Sequence, residues 1–156
     1  MNKKMNLILG IGAAIMAIVA IFVMFSTGFG ADRELESTRG NVFTIIFGSS
    51  SMGYHPVPIL IVAFVLICIA IVAALVAAFL PGKSASLGFV VVALLLIAAA
   101  TMFAFAPISY KAANADIISI NLPEDIVLGP GCILTMVFAY LGGALSLYGA
   151  YSNFKA

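Results

Sequence analysis

The sequence predicts an all-α membrane protein: a four-transmembrane-helix bundle with a small extracellular β cap. Three observations lead there. Apolar residues make up 64% of the 156-residue chain and charged residues only 8%, with a mean hydropathy of +1.24; a soluble domain is nearer half apolar and a quarter charged. Four segments, about 7–25, 57–80, 87–106 and 132–151, exceed the roughly 18 apolar residues that cross a bilayer. Every acid falls in the two stretches of about 26–56 and 107–131, which also hold short β-branched runs. The whole chain, 1–156, reads as one integral membrane domain. A net charge of +1 with dispersed basic residues gives no reason to expect a nucleic-acid partner.

The first apolar segment follows Lys3 and Lys4, a pattern shared with signal peptides. A signal's apolar core is about 7–15 residues and this one is longer, with Gly28 and Gly30 only a passable cleavage site, so a retained helix is expected. Pro58 stands in the first turn of the second helix and Pro130 just ahead of the fourth, where a missing N–H costs little. Pro81-Gly82 closes the second helix and Pro107 the third. The turn from Pro81 to Ser86 is short enough to make helices two and three an antiparallel hairpin. Lys3, Lys4, Lys83 and Lys155 fall on one side with no acid, while Arg33, Arg39 and Lys111 share the other with all the acids. The positive-inside rule then places both termini in the cytoplasm and the two longer loops outside, with the plasma membrane as the expected location.

No ionisable side chain occurs within the four spans. Such groups mark proton relays and ion paths, so proton-coupled transport and intramembrane proteolysis lose their chemistry. Thr101, Thr135, Tyr140, Ser146, Tyr148 and Cys68 are the polar inventory, and hydroxyls of this kind commonly bond their own helix backbone. Small residues are more informative, because they let helices approach closely in lipid. Gly10, Ala13, Ala14, Ala17 and Ala20 follow one face of the first helix. Thr135, Ala139 and Gly143 form one ridge on the fourth, and Gly142, Ser146 and Ala150 an adjacent one. Packing within the chain accounts for most such faces; a partner surface is expected on the fourth helix, at Ala139, Gly142, Gly143 and Ser146. Cys68 lies ~16 Å below the outer boundary at 1.5 Å per residue and Cys132 at it, too far apart for a disulfide.

In the first outer stretch, Val42 to Phe47 is β-branched or aromatic and has turn signals at both ends, Gly40-Asn41 and Gly48 to Ser51. That composition predicts a strand. A re-entrant pore loop is the competing reading, but it needs a longer carrier helix, and His55-Pro56 follows Gly53-Tyr54 where a filter would place glycine. Asp116 to Ile120 and Asp125 to Gly129 supply two more strand candidates. Val42, Ile45 and Phe47 are the expected partner-binding edge of the resulting sheet. Tyr54, Tyr110 and Tyr151 suit the interfacial belt. Asp32, Glu34 and Glu36 could bind Ca²⁺, but Arg33 and Arg39 interleave with them, so a solvated loop is expected, and His55 reads as a loop residue.

Inside termini, a larger first outer loop with strands, a short inner turn and a smaller second outer loop together resemble claudin-like tetraspan proteins. The resemblance implies a tetraspan fold with adhesion or paracellular pore formation as its functional analogue. The chain has no Trp and no Cys in its first loop, so no functional residue is carried over. The functional expectation is a non-catalytic four-span protein, with no cofactor and no metal. It would act as a self-assembling scaffold or accessory subunit, with the bilayer and other copies or membrane subunits as partners. The alternative is a small oligomeric channel or transporter.

Overall fold

The computed structural model describes residues 3–31, 40–51, 53–116 and 126–155. In chain order the elements are α1 (Lys3–Phe22), a single 3-10 turn (Val23–Phe25), β1 (Phe29–Ala31), α2 (Val42–Phe47), α3 (Pro58–Phe79), α4 (Gly82–Ala104), α5 (Ala106–Ala113), β2 (Ile126–Leu128) and α6 (Pro130–Lys155). Four of them, α1 with its 3-10 turn, α3, α4 and α6, are long and apolar enough to span a membrane, close to the expected segments. The largest shift is at α4, which starts five residues earlier than 87 because Lys83 and Ser84 sit in its first turn. The link between α3 and α4 shrinks to Leu80-Pro81, and Gly82 reverses the chain at φ +53°, a conformation that costs an L side chain about 1–2 kcal/mol.

The spans form a ring. α1 packs on α3 and α6, and α4 packs on α3 and α6, so chain neighbours are antiparallel neighbours in space. Small residues sit at the interfaces, as helix association in lipid requires. A methyl group added at Gly10 of α1 would lie 2.5 Å from Ala78 Cβ of α3; one at Gly88 of α4 would lie 2.9 Å from Ala77 Cβ. Gly142 faces both Leu96 of α4 and Met16 of α1, while Gly149 lies under the Phe89 ring. Ala13, Ala17, Ala63, Ile67, Val92, Leu96 and Ala139 are fully buried, so the centre of the ring is filled by side chains.

The expected strand at Val42–Phe47 is a helix, α2. Its start is capped by Asn41, whose Oδ1 accepts from Thr44 N and from Thr44 Oγ1, both at 2.9 Å. Gly48 ends it at φ +75°. Val42, Ile45 and Ile46 are buried, the i, i+3, i+4 spacing of one helical face. Tertiary burial of that face and the cap together override the strand preference of β-branched residues, which is a weak and context-dependent one.

The strand expected near Ile126 is present, but its partner is β1, which the sequence reading passed over. Phe29 pairs with Leu128, Gly30 with Val127 and Ala31 with Ile126, antiparallel. The described residues thus contain one short two-stranded ladder in place of a three-stranded sheet built on Val42–Phe47. The candidate at Ile117 to Ile120 lies outside the described residues. Within the stretch read as loop, α5 adds eight helical residues beyond a break at Phe105, and Pro107 serves in its first turn, where the ring is tolerated. α2, β1, β2 and α5 close over one end of the bundle, where Met24, Phe29, Val42, Val57, Tyr110 and Ile126 continue its core.

Candidate functional site

The expected partner ridge on the fourth helix faces inward. Ala139 and Ser146 have no exposed surface, and Gly142 and Gly143 are buried, with Gly143 set against Ile97 of α4. The ridge joins α6 to its own chain, so it leaves no lateral face there. At the capped end, Val42 and Ile45 are likewise buried, and of that trio only Phe47 is exposed, at 48%. Phe47 belongs to a run of rings in which Phe25 meets Phe43 at 4.8 Å, and both Phe43 and Phe47 meet Phe64 of α3, at 5.9 and 5.6 Å. The two contacts with Phe64 are edge-to-face, which adds about 0.5–1.5 kcal/mol each beyond burial, so Phe43 and Phe47 tie the cap to α3.

Hydroxyls inside the spans bond backbone carbonyls, as expected. Thr101 Oγ1 donates to Ile97 O (2.8 Å), Ser146 Oγ to Gly142 O (2.9 Å) and Thr135 Oγ1 to Gly131 O (2.8 Å), the last also lying 3.2 Å from Ala20 O of α1. One pair is different in position: Thr101 and the Tyr140 hydroxyl meet at 3.2 Å on the outward face between α4 and α6. Tyr140 is ten residues into α6, hence about 15 Å from its start at 1.5 Å per residue.

The capped end carries a second network. Asn114 has no exposed surface; its Oδ1 accepts from His55 N at 2.7 Å and its Nδ2 donates to Tyr110 O at 3.1 Å. This amide joins the segment before α3 to the end of α5. His55 Nε2 lies 3.2 Å from Asp116 Oδ2 with both side chains more than half exposed, an arrangement that stabilises little. Burial, with the Tyr54 phenol beside it, pushes the Tyr110 hydroxyl above its usual range. No group of three His, Cys, Asp or Glu side chains that could hold a metal occurs among the described residues; Asp32, Glu34 and Glu36 lie outside them. Cys68 and Cys132 are free thiols.

Sequence reasoning missed the opposite end. Asn153 Nδ2 donates to Asn6 Oδ1 and to Gly149 O, both at 2.8 Å, and Asn6 Nδ2 reaches Leu80 O at 3.5 Å. Ser86 Oγ donates to Ala150 O at 2.8 Å. Asn6 and Asn153 are 3% exposed, and Asn153 Oδ1 is buried without a partner, which costs about 1–3 kcal/mol. Spans drawn at 7–25 and 132–151 leave both amides just outside; the helices run on and bring them face to face.

What the middle of α3 turns outward is aliphatic. α3 presents Val62, Val65, Ile69, Val72 and Val76, and an open groove of about 570 Å³ runs along this face with Cys68 and Ala73 among its lining residues. Comparison of the chain with protein families, curated proteins and solved structures returned no match, so the claudin-like resemblance rests on the tetraspan layout alone.

Proposed function

We propose that this chain is a non-catalytic membrane scaffold or accessory subunit that assembles laterally with further copies or with other membrane subunits. The observation that carries the reading is the filled interior: Ala, Val, Leu and Ile side chains with no exposed surface occupy the ring, and the hydroxyls there are bonded to carbonyls. No Asp, Glu, His, Lys or Arg lies in the apolar stretches of the spans, so the interior offers neither a proton path nor a nucleophile with a base. Interaction is then left to the outward faces and the cap. The groove on α3 is concave where Cys68 and Ala73 are small, a shape that accepts another helix. The capped end faces outside and both termini lie in the cytoplasm of a plasma-membrane protein in this reading, by the distribution of Lys3, Lys4, Lys83 and Lys155.

Extraction in mild detergent followed by native mass measurement tests it. The expected particle is a multiple of the 16.2 kDa chain or a complex with other chains, and oxidative cross-linking through Cys68 is expected where α3 meets α3. A monodisperse single chain in both detergent and lipid nanodiscs refutes the reading. A second reading, an oligomeric channel, is favoured by the Thr101–Tyr140 hydroxyl pair on the outward face, because a lumen between copies would be lined there. Ion flux in liposomes that is lost in Tyr140→Phe supports it over the scaffold.

A further inference from the structure

We propose that the lysine-bearing end of the bundle binds the headgroup of an anionic phospholipid, in a cleft between the start of α1 and the end of α3. The cleft holds about 310 Å³ and is lined by Lys3, Lys4, Leu7, Ala78, Phe79 and Leu80. Its chemistry is divided as a lipid's is. Leu7, Ala78 and Phe79 form apolar walls for the glycerol region and first methylenes, and the two ammonium groups suit a phosphodiester. Basic pockets of this kind between spans bind acidic headgroups.

The walls are preset. Gly10 brings α1 against Ala74 and Ala78 of α3, and the Asn6 amide reaches across to Leu80 O while accepting from Asn153. Charge decides which headgroup fits. Every acid of the chain lies in the segments joining the other ends of the spans. The N-terminal dipole of α1 and the C-terminal dipole of α3 have opposite signs here and offset each other. Two lysine charges remain, which favour a headgroup of net negative charge over a choline, whose own cation they repel.

The test extracts the full chain in mild detergent from liposomes of phosphatidylglycerol and phosphatidylcholine in equal parts, and identifies the retained lipid by mass spectrometry. The parent is expected to enrich phosphatidylglycerol. Lys3→Gln with Lys4→Gln is expected to lower that enrichment on the order of tenfold, while Lys83→Gln with Lys155→Gln keeps it. Raising the salt should weaken the preference, as for charges that remain in contact with water. The proposal is overturned if the parent shows no preference, if both double variants lose it equally, or if the preference ignores salt. Displacement of the lipid by millimolar inorganic phosphate would also overturn it, showing a free-anion site.

Discussion

Two glycines of the first span, two residues apart, are expected to respond to the same methyl group with opposite sign. At Gly10 an added Cβ would meet Ala78 Cβ at 2.5 Å, Ala74 O at 2.8 Å and Ala78 Cα at 3.0 Å. All three of those atoms are backbone or bonded to it and cannot rotate away, so α1 and α3 must part by about 1 Å to restore ordinary contact. Overpacking of this kind costs about 1–3 kcal/mol, and a gap of that width forfeits a quarter to a half of each dispersion contact along the seam. At Gly12 the nearest atom is Leu145 Cδ1 at 3.7 Å, ordinary contact with a side chain that can move. Both substitutions gain about 1 kcal/mol of helix propensity. Gly10→Ala is therefore expected to destabilise the bundle by about 2 kcal/mol and Gly12→Ala to leave it unchanged or up to about 1 kcal/mol more stable. The assay is thiol labelling of Cys132, which has no exposed surface, during a titration with SDS on a Cys68→Ala background. A Gly10→Ala protein as resistant as the Gly12→Ala protein would refute this account of the α1–α3 seam.

Asn41→Ala removes the cap of α2 and should cost about 1 kcal/mol, read as faster amide exchange over Val42–Phe47 with the spans unaffected. Asn6→Leu or Asn153→Leu alone strands a buried amide and should destabilise by about 1–3 kcal/mol, whereas the double substitution recovers most of the loss; additive losses in the double-mutant cycle would show that the two amides do not act as a pair. Tyr110 is held neutral by burial, so its contribution to stability is complete below its ordinary pKa of 10.0 and declines as the pH rises from there towards the raised folded value. Alkaline titration should accordingly destabilise the parent more steeply than Tyr110→Phe, and identical slopes would remove the effect. Single cysteines at Ala115 and Ser84, both exposed, on a background lacking Cys68 and Cys132, should be labelled from outside at the first and not the second; the reverse pattern would invert the orientation.

The span count, their limits to within a few residues and the hairpin of α3 and α4 were legible in the sequence. Each depends on hydropathy summed along a contiguous stretch, or on Pro58, Pro81 and Pro107 acting on their own backbone. Neither quantity needs a distant residue. α2 shows where that stops: Val42, Ile45 and Ile46 lie at helical spacing between Asn41 and Gly48, so both end signals were present. A six-residue β-branched run reads equally as a strand until a core exists to bury one face. The pairing of Phe29–Ala31 with Ile126–Leu128 was beyond reach for the same reason, since almost a hundred residues of chain separate strands of three residues each.

The small-residue ridges mark the limit most sharply. Glycine and alanine spacing established that α6 could approach another helix closely, and spacing is identical whether that helix belongs to the same chain or to another. Only the tertiary arrangement decided that Gly142 and Gly143 meet α1 and α4 and that Ser146 is buried, and that the outward surface belongs to residues such as Val65, Val72 and Tyr140. Asn6 and Asn153 followed the same rule. Each looks like a helix-end residue in isolation, and they become a buried pair because four helices of nearly equal length are closed into a ring that brings the first turn of α1 beside the last turn of α6.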